Sequence, residues 1–504
     1  MALFQTPSEL PSIHGGCVEY ACVQQPPDGT APTGLLGSAS STGDLIFTIR
    51  NDGRYIMWAD STIDIRLHFS SDNAGTIAIV YPTAPNVASP CVADNWPATL
   101  FQSARMQFNG TQIEQALQVP QLDTALTYSS CSANYLKTFG SVAGVGRTWA
   151  ERLSDTNFAA SSGNTTPNVI SAQWRPPLSL WAQKQPMLGG EWRLTLTWAP
   201  SAAAQIQGES AAVLIPNGGG AGPPNTGYFV TIDSLFLNLA TCKPNPSVPI
   251  PRRRLIDLTP AQASLFPIVG AAPTWNQQAS IQPSTFRILV GFQHINAGNP
   301  NPTNLTSQTL VSSNAAIWTA APVNPCPALT IPISWFNDMG LNNFYISIPQ
   351  LGKQMPLPMY AFQANKRDAA RGYVDWLTAT QGQYTLQEGS LSFGTADFLA
   401  PRYMVSAART LPLLAGMATD EFNGLGGSNW LGNKFLLAFN VVKEPAAKLS
   451  TIELYSTFFA AGASSIWPTQ SARNMYMFAI FSASLGIDYD ERGNITNVQY
   501  NASD

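Results

Sequence analysis

Arg105-Met-Gln-Phe-Asn-Gly-Thr-Gln-Ile-Glu114 is the stretch on which the fold class turns. Asn109-Gly110 stands between Phe108 and Thr111, and Asn-Gly is the favoured pair for a two-residue type I′ turn, whose central positions both need φ > 0. The stretch therefore reads as two antiparallel strands joined by a tight hairpin. Downstream, Trp192, Leu194, Leu196 and Trp198 alternate with Arg193, Thr195 and Thr197. Upstream, Ile63, Ile65, Leu67 and Phe69 alternate with Asp64, Arg66 and His68. Period two is the mark of a strand with one buried face.

Further strands are expected at Leu45–Ile49, Thr76–Tyr81 and Tyr228–Leu239 in the first half of the chain. In the second half they are expected at Thr285–Phe292, Leu329–Ser334, Phe344–Ile348, Tyr384–Phe393, Lys434–Val442, Leu449–Phe459 and Met475–Asp488. Helical spacing appears at Asn134–Leu153 and at Arg402–Phe422. Thr241–Pro260 carries Pro244, Pro246, Pro249 and Pro251, which stiffen a connector and block sheet pairing. The expected division is an arm at 1–40, a first domain at 41–240, a Pro-rich linker at 241–260 and a second domain at 261–504. Each half reads as strands, one helix, then strands, without any residue-level repeat. Many short strands with Gly/Pro-rich turns imply an all-β protein of sandwiches or barrels, with few helices.

Composition narrows the function. Only 11% of the 504 residues are charged, 45% are hydrophobic and 10% are aromatic. An average soluble domain carries about 25% charge, and interface cores are depleted in charge and enriched in aromatics. A polar but uncharged surface suits a protein that works by assembling. A formal net charge of −4 gives no general attraction to nucleic acid. Met1-Ala-Leu-Phe-Gln-Thr-Pro has neither the basic nor the apolar region of a signal peptide. Apolar runs such as Met475–Ile487 are shorter than the ~20 residues of a membrane-spanning helix.

Catalytic chemistry has little to stand on. A general base would have to come from His14, His68 or His294, and all three read as structural or solvent-facing. Asp64, Glu191, Asp233 and Asp488 lie in or beside strands, and a glycosidase needs two placed acids, but solvated or salt-bridged acids are the simpler reading. His14, Cys17 and Cys22 miss the spacing of a zinc site, and Asp488–Glu491 misses the twelve-residue calcium loop. No cofactor or metal is expected. The six cysteines, Cys17, Cys22, Cys91, Cys131, Cys242 and Cys326, read mostly as free buried thiols, with a Cys17–Cys22 pair left open. Arg252-Arg253-Arg254 is the one basic run. It is either a solvated linker or a contact for an acidic partner surface, and is too small for sequence-specific nucleic-acid binding.

The order of motifs resembles the double jelly-roll major capsid proteins of icosahedral DNA viruses, especially those of virophages and polinton-like viruses. The resemblance lies in Phe108-Asn-Gly-Thr-Gln-Ile-Glu114, in Pro176-Pro177-Leu178 with Pro186-Met187-Leu188, and in the strand Trp192–Trp198. It continues in Tyr228-Phe-Val-Thr-Ile-Asp233, Gly486-Ile-Asp-Tyr-Asp490 and Gly493-Asn-Ile-Thr496, and covers residues 45–500 in order and length. It implies two tandem eight-stranded jelly-roll sandwiches and a structural, non-enzymatic chain. Three such chains form a homotrimeric, pseudo-hexagonal capsomer that tiles a virion shell. The implied partners are the chain itself, neighbouring capsomers, penton and minor or cement capsid proteins, and an internal membrane, with Arg252, Arg253 and Arg254 as candidate contact residues. Asn109 and Gly110 form the structural turn. Two other readings stay open. The 13 tryptophans and neutral polar surface also suit a two-domain carbohydrate-binding β-sandwich, and a β-rich glycoside hydrolase is the third.

Overall fold

The computed structural model describes residues 17–29, 34–35, 43–50, 53–70, 76, 91–92, 95–130, 136–145, 169–183, 186–199, 213–214, 229–245, 252–268, 274–294, 336, 341–361, 371–372, 374–376, 378–380, 435–441, 450–458, 473–490 and 495–502. The strands expected at 329–334 and 384–393 and the helix expected at 402–422 lie outside these residues, as does all but Thr76 of the strand expected at 76–81.

The first half contains β1 (Cys17–Gln25), β2 (Leu45–Arg50), β3 (Thr62–Ser70), β4 (Phe101–Phe108), β5 (Thr111–Leu117), β6 (Val169–Trp174), β7 (Glu191–Trp198) and β8 (Phe229–Pro244). One sheet runs β1-β8-β3-β6 and the other β2-β7-β4-β5, with two-residue strands extending the first. The second half contains β9 (Arg253–Leu258), β10 (Ala261–Ile268), β11 (Thr274–Ser280), β12 (Thr285–His294), β13 (Leu341–Ile348) and β14 (Lys353–Ala361). It continues with β15 (Leu436–Asn440), β16 (Thr451–Phe458), β17 (Arg473–Phe481), β18 (Ala483–Tyr489) and β19 (Ile495–Asn501). Here the sheets run β10-β17-β12-β15 and β11-β16-β13-β14. Counted within each half from β1 and from β10, both sandwiches have the order first-eighth-third-sixth against second-seventh-fourth-fifth. The duplication of plan is thus a duplication of topology. A third sheet, β9-β18-β19, joins segments from either side of the second sandwich.

Alternation fills each core. Ile63, Ile65 and Leu67 of β3 and Trp192, Leu194 and Leu196 of β7 are fully buried. Trp192 meets Phe108 at 4.2 Å and Trp58 at 5.5 Å, and Trp58 meets Trp181 at 4.8 Å. Such aromatic pairs add about 0.5–1.5 kcal/mol each beyond their area. In the second half, β12 from Ile288 to Gln293 and β17 from Met475 to Phe481 are buried on both faces. Their outer faces are covered by Phe336, which meets Tyr476 and Phe478, and by Gln121 of the first half, which meets Gln293 and Tyr476, which is why these strands read as continuous apolar runs.

Four expectations are corrected. The arm proposed for residues 1–40 contributes β1, which makes eight cross-strand pairs with β8 from Leu237 to Pro244. Its residues are exposed or half-buried on both faces, so it shows no hydrophobic alternation. The linker proposed for 241–260 shrinks to the eight residues between Pro244 and Arg253, because Arg253–Leu258 pairs with β18. The single strand expected at Met475–Asp488 breaks at Ser482, where the chain passes from one sheet to another. The one helix expected in the first half, at Asn134–Leu153, is present within its described part, 136–145, as the short π-helical turn Leu136–Gly140, with 134–135 and 146–153 outside the described residues; the longest described helix is another. It is α1 (Val119–Ser130), buried almost all round. Ser and Thr are indifferent helix formers, and a helix buried on every side shows no amphipathic stripe.

Candidate functional site

The Asn-Gly hairpin and the Pro-Pro-Leu loop meet at one carboxylate, through two residues 65 positions apart. Asn109 and Gly110 both have positive φ, 47° and 79°, and Phe108 pairs with Thr111 across them. The hairpin carries Glu114 inward, where it is 4% exposed. Its oxygens accept the Ser179 N–H at 2.8 and 2.9 Å and the Ser179 hydroxyl at 2.8 Å. Pro176 and Pro177 stiffen the approach, and the 3₁₀ turn Ser179–Ala182 begins at the captured N–H. Burial pushes the Glu114 carboxyl up to about 7, against the opposing effect of the Ser179 hydrogen bonds.

A second buried carboxyl, Asp123 of α1, accepts the Trp174 indole N–H at 3.1 Å, and burial pushes it up to about 6. From the same helix, Gln121 reaches the second sandwich. Its amide donates to Gln293 Oε1 at 3.4 Å and to the Tyr476 hydroxyl at 3.3 Å. These three side chains are buried together, so the contact between the halves is a desolvated polar joint.

The basic run divides. The Arg254 guanidinium donates to the Pro186 carbonyl and lies 5.4 Å over the Tyr55 ring, both in the first half. The Gln183 amide donates to the Asp257 carbonyl beside it. Arg254 is therefore an internal clasp between β9 and the first sandwich. Arg253 faces outward, its side chain 62% exposed and 3.6 Å from Asp488. Arg252 is also exposed.

Each of the acids considered for catalysis has a basic partner of its own. Asp64 pairs with Arg66 at 3.1 Å, Glu191 with Arg50 at 3.2 Å and Asp488 with Arg253. Asp233 pairs with His68 at 3.0 Å. His14 and the His294 side chain lie outside the described residues. Among the described residues no group of three His, Cys, Asp or Glu is placed to hold a metal ion, and no helix is long and apolar enough to cross a membrane. Cys242 is buried, but Cys22 is exposed on β1, against the expectation of buried thiols. Cys17 and Cys22 lie five residues apart on one strand, a separation of roughly 16 Å, so they cannot bridge.

No protein-family model matches the chain, and no curated protein matches it in sequence. Solved structures do match. The structure of the Sputnik virophage at 3.5 Å by cryo-EM is similar over 99% of this chain and 92% of that one, with a TM-score of 0.57 at 12% identity. This chain is a double jelly roll. The mavirus major capsid protein is similar over 99% of this double jelly roll and 94% of its own chain, with a TM-score of 0.49 at 10% identity. The PBCV-1 virus capsid is similar over 95% and 97%, with a TM-score of 0.46 at 10% identity. What the sequence left illegible in this double jelly roll is the Glu114–Ser179 contact. The signal that could have found it is a lone Glu on the inward face of a strand otherwise filled by Ile113 and Ala116.

Proposed function

We propose that this chain is a capsid shell protein, structural rather than catalytic, that assembles as a homotrimeric, pseudo-hexagonal capsomer. The observation that carries the reading is the pair of sandwiches with one strand order, joined through a buried polar seam, over a length that matches a virophage structure almost end to end. Two such wall units per chain make six in a ring of three. The low charge fits lateral faces that meet other protein, since a charge there would have to be desolvated or paired. Arg252 and Arg253, which point outward, are the residues proposed to meet an acidic partner such as a neighbouring capsomer or a minor capsid protein. Arg254 is withdrawn from that role because the first sandwich holds it.

Multi-angle light scattering of the purified chain tests the assembly. A three-chain mass with hexagonal outlines in electron micrographs is expected. A stable monomer at micromolar concentration overturns the reading and favours a binding module.

A further inference from the structure

The two sandwiches share one strand order, and each carries a helical segment between its fifth and sixth strands. In the first it is α1, between β5 and β6. In the second, residues 371–372, 374–376 and 378–380 are helical and lie between β14 and β15. Gln121 of α1 docks on the second sandwich at Gln293, near the end of its third strand, and at Tyr476, near the start of its eighth. Gln293 stands on the face turned away from the core, for the neighbouring Phe292 points inward and meets Phe344 at 6.0 Å. The same place in the first sandwich, near the end of β3 and the start of β8, is held by His68 and Asp233. There the outer face stays open. Val169, opposite His68 on β6, is 53% exposed, and Arg66 and Ser171 are exposed beside it.

We propose, resting on the assembly inferred above, that this face around His68 and Asp233 is the seat for the helical segment around Val374 of a second copy of this chain. The contact that α1 makes within one chain is then repeated between chains.

The face and the segment suit one another in charge. On the sheet, Asp64 pairs with Arg66 and Asp233 with His68. On the segment, Arg371 lies 3.7 Å from Asp375. Each side brings its charges already paired, which lowers the cost of covering them. The segment is also held from behind. Trp376 is fully buried, and the Tyr360 hydroxyl donates to Asp375 at 2.7 Å. Val374 and Thr378, one turn apart and so neighbours on the helix surface, are left on the exposed side, Val374 at 54%. Val374 and Val169 thus give each side an exposed apolar residue to bury. The contact is heterologous, a segment of one copy on a sheet of the next, so a segment and a face remain uncovered until a ring closes. In the closed ring every such face is covered, half of them within chains and half between them.

Val374→Glu and Val169→Glu each set an unpaired charge in the proposed contact and leave both cores alone. Light scattering on the full chain should give a three-chain mass for the native protein and a monomer for each variant, a weakening of roughly a hundredfold or more, with the circular dichroism spectrum unchanged. A native trimer that survives both substitutions overturns the seat and leaves the assembly standing. A native monomer overturns the assembly, and the seat with it. If the variants lose the native spectrum, a benzophenone maleimide attached to assembled Thr378→Cys decides. In the two-chain band of a denaturing gel, cross-links from 378 to 62–70, 169–174 or 229–238 support the seat. Cross-links from 378 to other segments alone, or no such band, overturn it.

Discussion

Gly110 lies in the hairpin turn and Gly190 lies against Phe108 beside it, and the difference between them separates backbone strain from crowding. Gly110 has φ 79° and open space where a Cβ would stand, whereas at Gly190, φ 75°, an added Cβ would stand 2.3 Å from the Phe108 ring. Gly110→Ala should therefore cost about 1–2 kcal/mol, the penalty of a left-handed residue alone. Gly190→Ala should cost about 1–3 kcal/mol more from overpacking. Denaturant melts of the two variants check the order, and equal losses would contradict it. Asp123 offers a pH test. Its carboxyl is raised from 3.8 to about 6 by burial, so its contribution to stability is complete below the lower value and is lost as pH rises through the upper one. Asp123→Asn should flatten the stability profile over that window, measured as Tm against pH. The turn at Asn109-Gly110 was legible because its chemistry is local to two residues. Glu114 and Ser179 were not, because nothing in either residue's neighbourhood tells of a partner 65 positions away.

Strands with one buried face, such as β3 and β7, could be read to within a residue or two, since burial and period coincide. β1 could not, for it lies at a sheet edge with both faces open, and Val18, Tyr20 and Val23 remain exposed. α1 escaped for the opposite reason, being enclosed on all sides. Because β1 is part of the sheet, deleting residues through Gln25 should cost the fold and not merely assembly. The truncated chain is expected to be insoluble or to melt many degrees lower, and a normal melt would return β1 to the status of an arm. Thiol labelling followed by mass spectrometry probes the same strand. Cys22 should react in the native protein and Cys242 only after unfolding, as their exposure dictates. Arg253 and Arg254, adjacent in sequence, face opposite sides of β9. Strand geometry alone assigns one to solvent and the other to the clasp, but only once β9 is known to be a strand. The prolines on its N-terminal side hid that.

Across the whole molecule, the duplicated plan could be read from the order of elements, but the seam could not. Gln121, Gln293 and Tyr476 are each ordinary in sequence and acquire meaning only when the halves are docked. That docking predicts dependence. Residues 252–504 expressed alone would uncover Gln293 and Tyr476, which Gln121 covers in the whole chain, and should precipitate, while co-expression with residues 1–251 should recover soluble material. A soluble, cooperatively folding second half would contradict the prediction. The placing of β8 has a consequence for synthesis. It lies between β1 and β3 and pairs with both, so β1 has no described neighbour until some two hundred further residues have left the ribosome. The second roll repeats the arrangement, with β17 between β10 and β12. Neither sheet can close gradually behind the ribosome. Each snaps shut when its last strand emerges, and until then the exposed edges belong to whatever holds nascent chains apart.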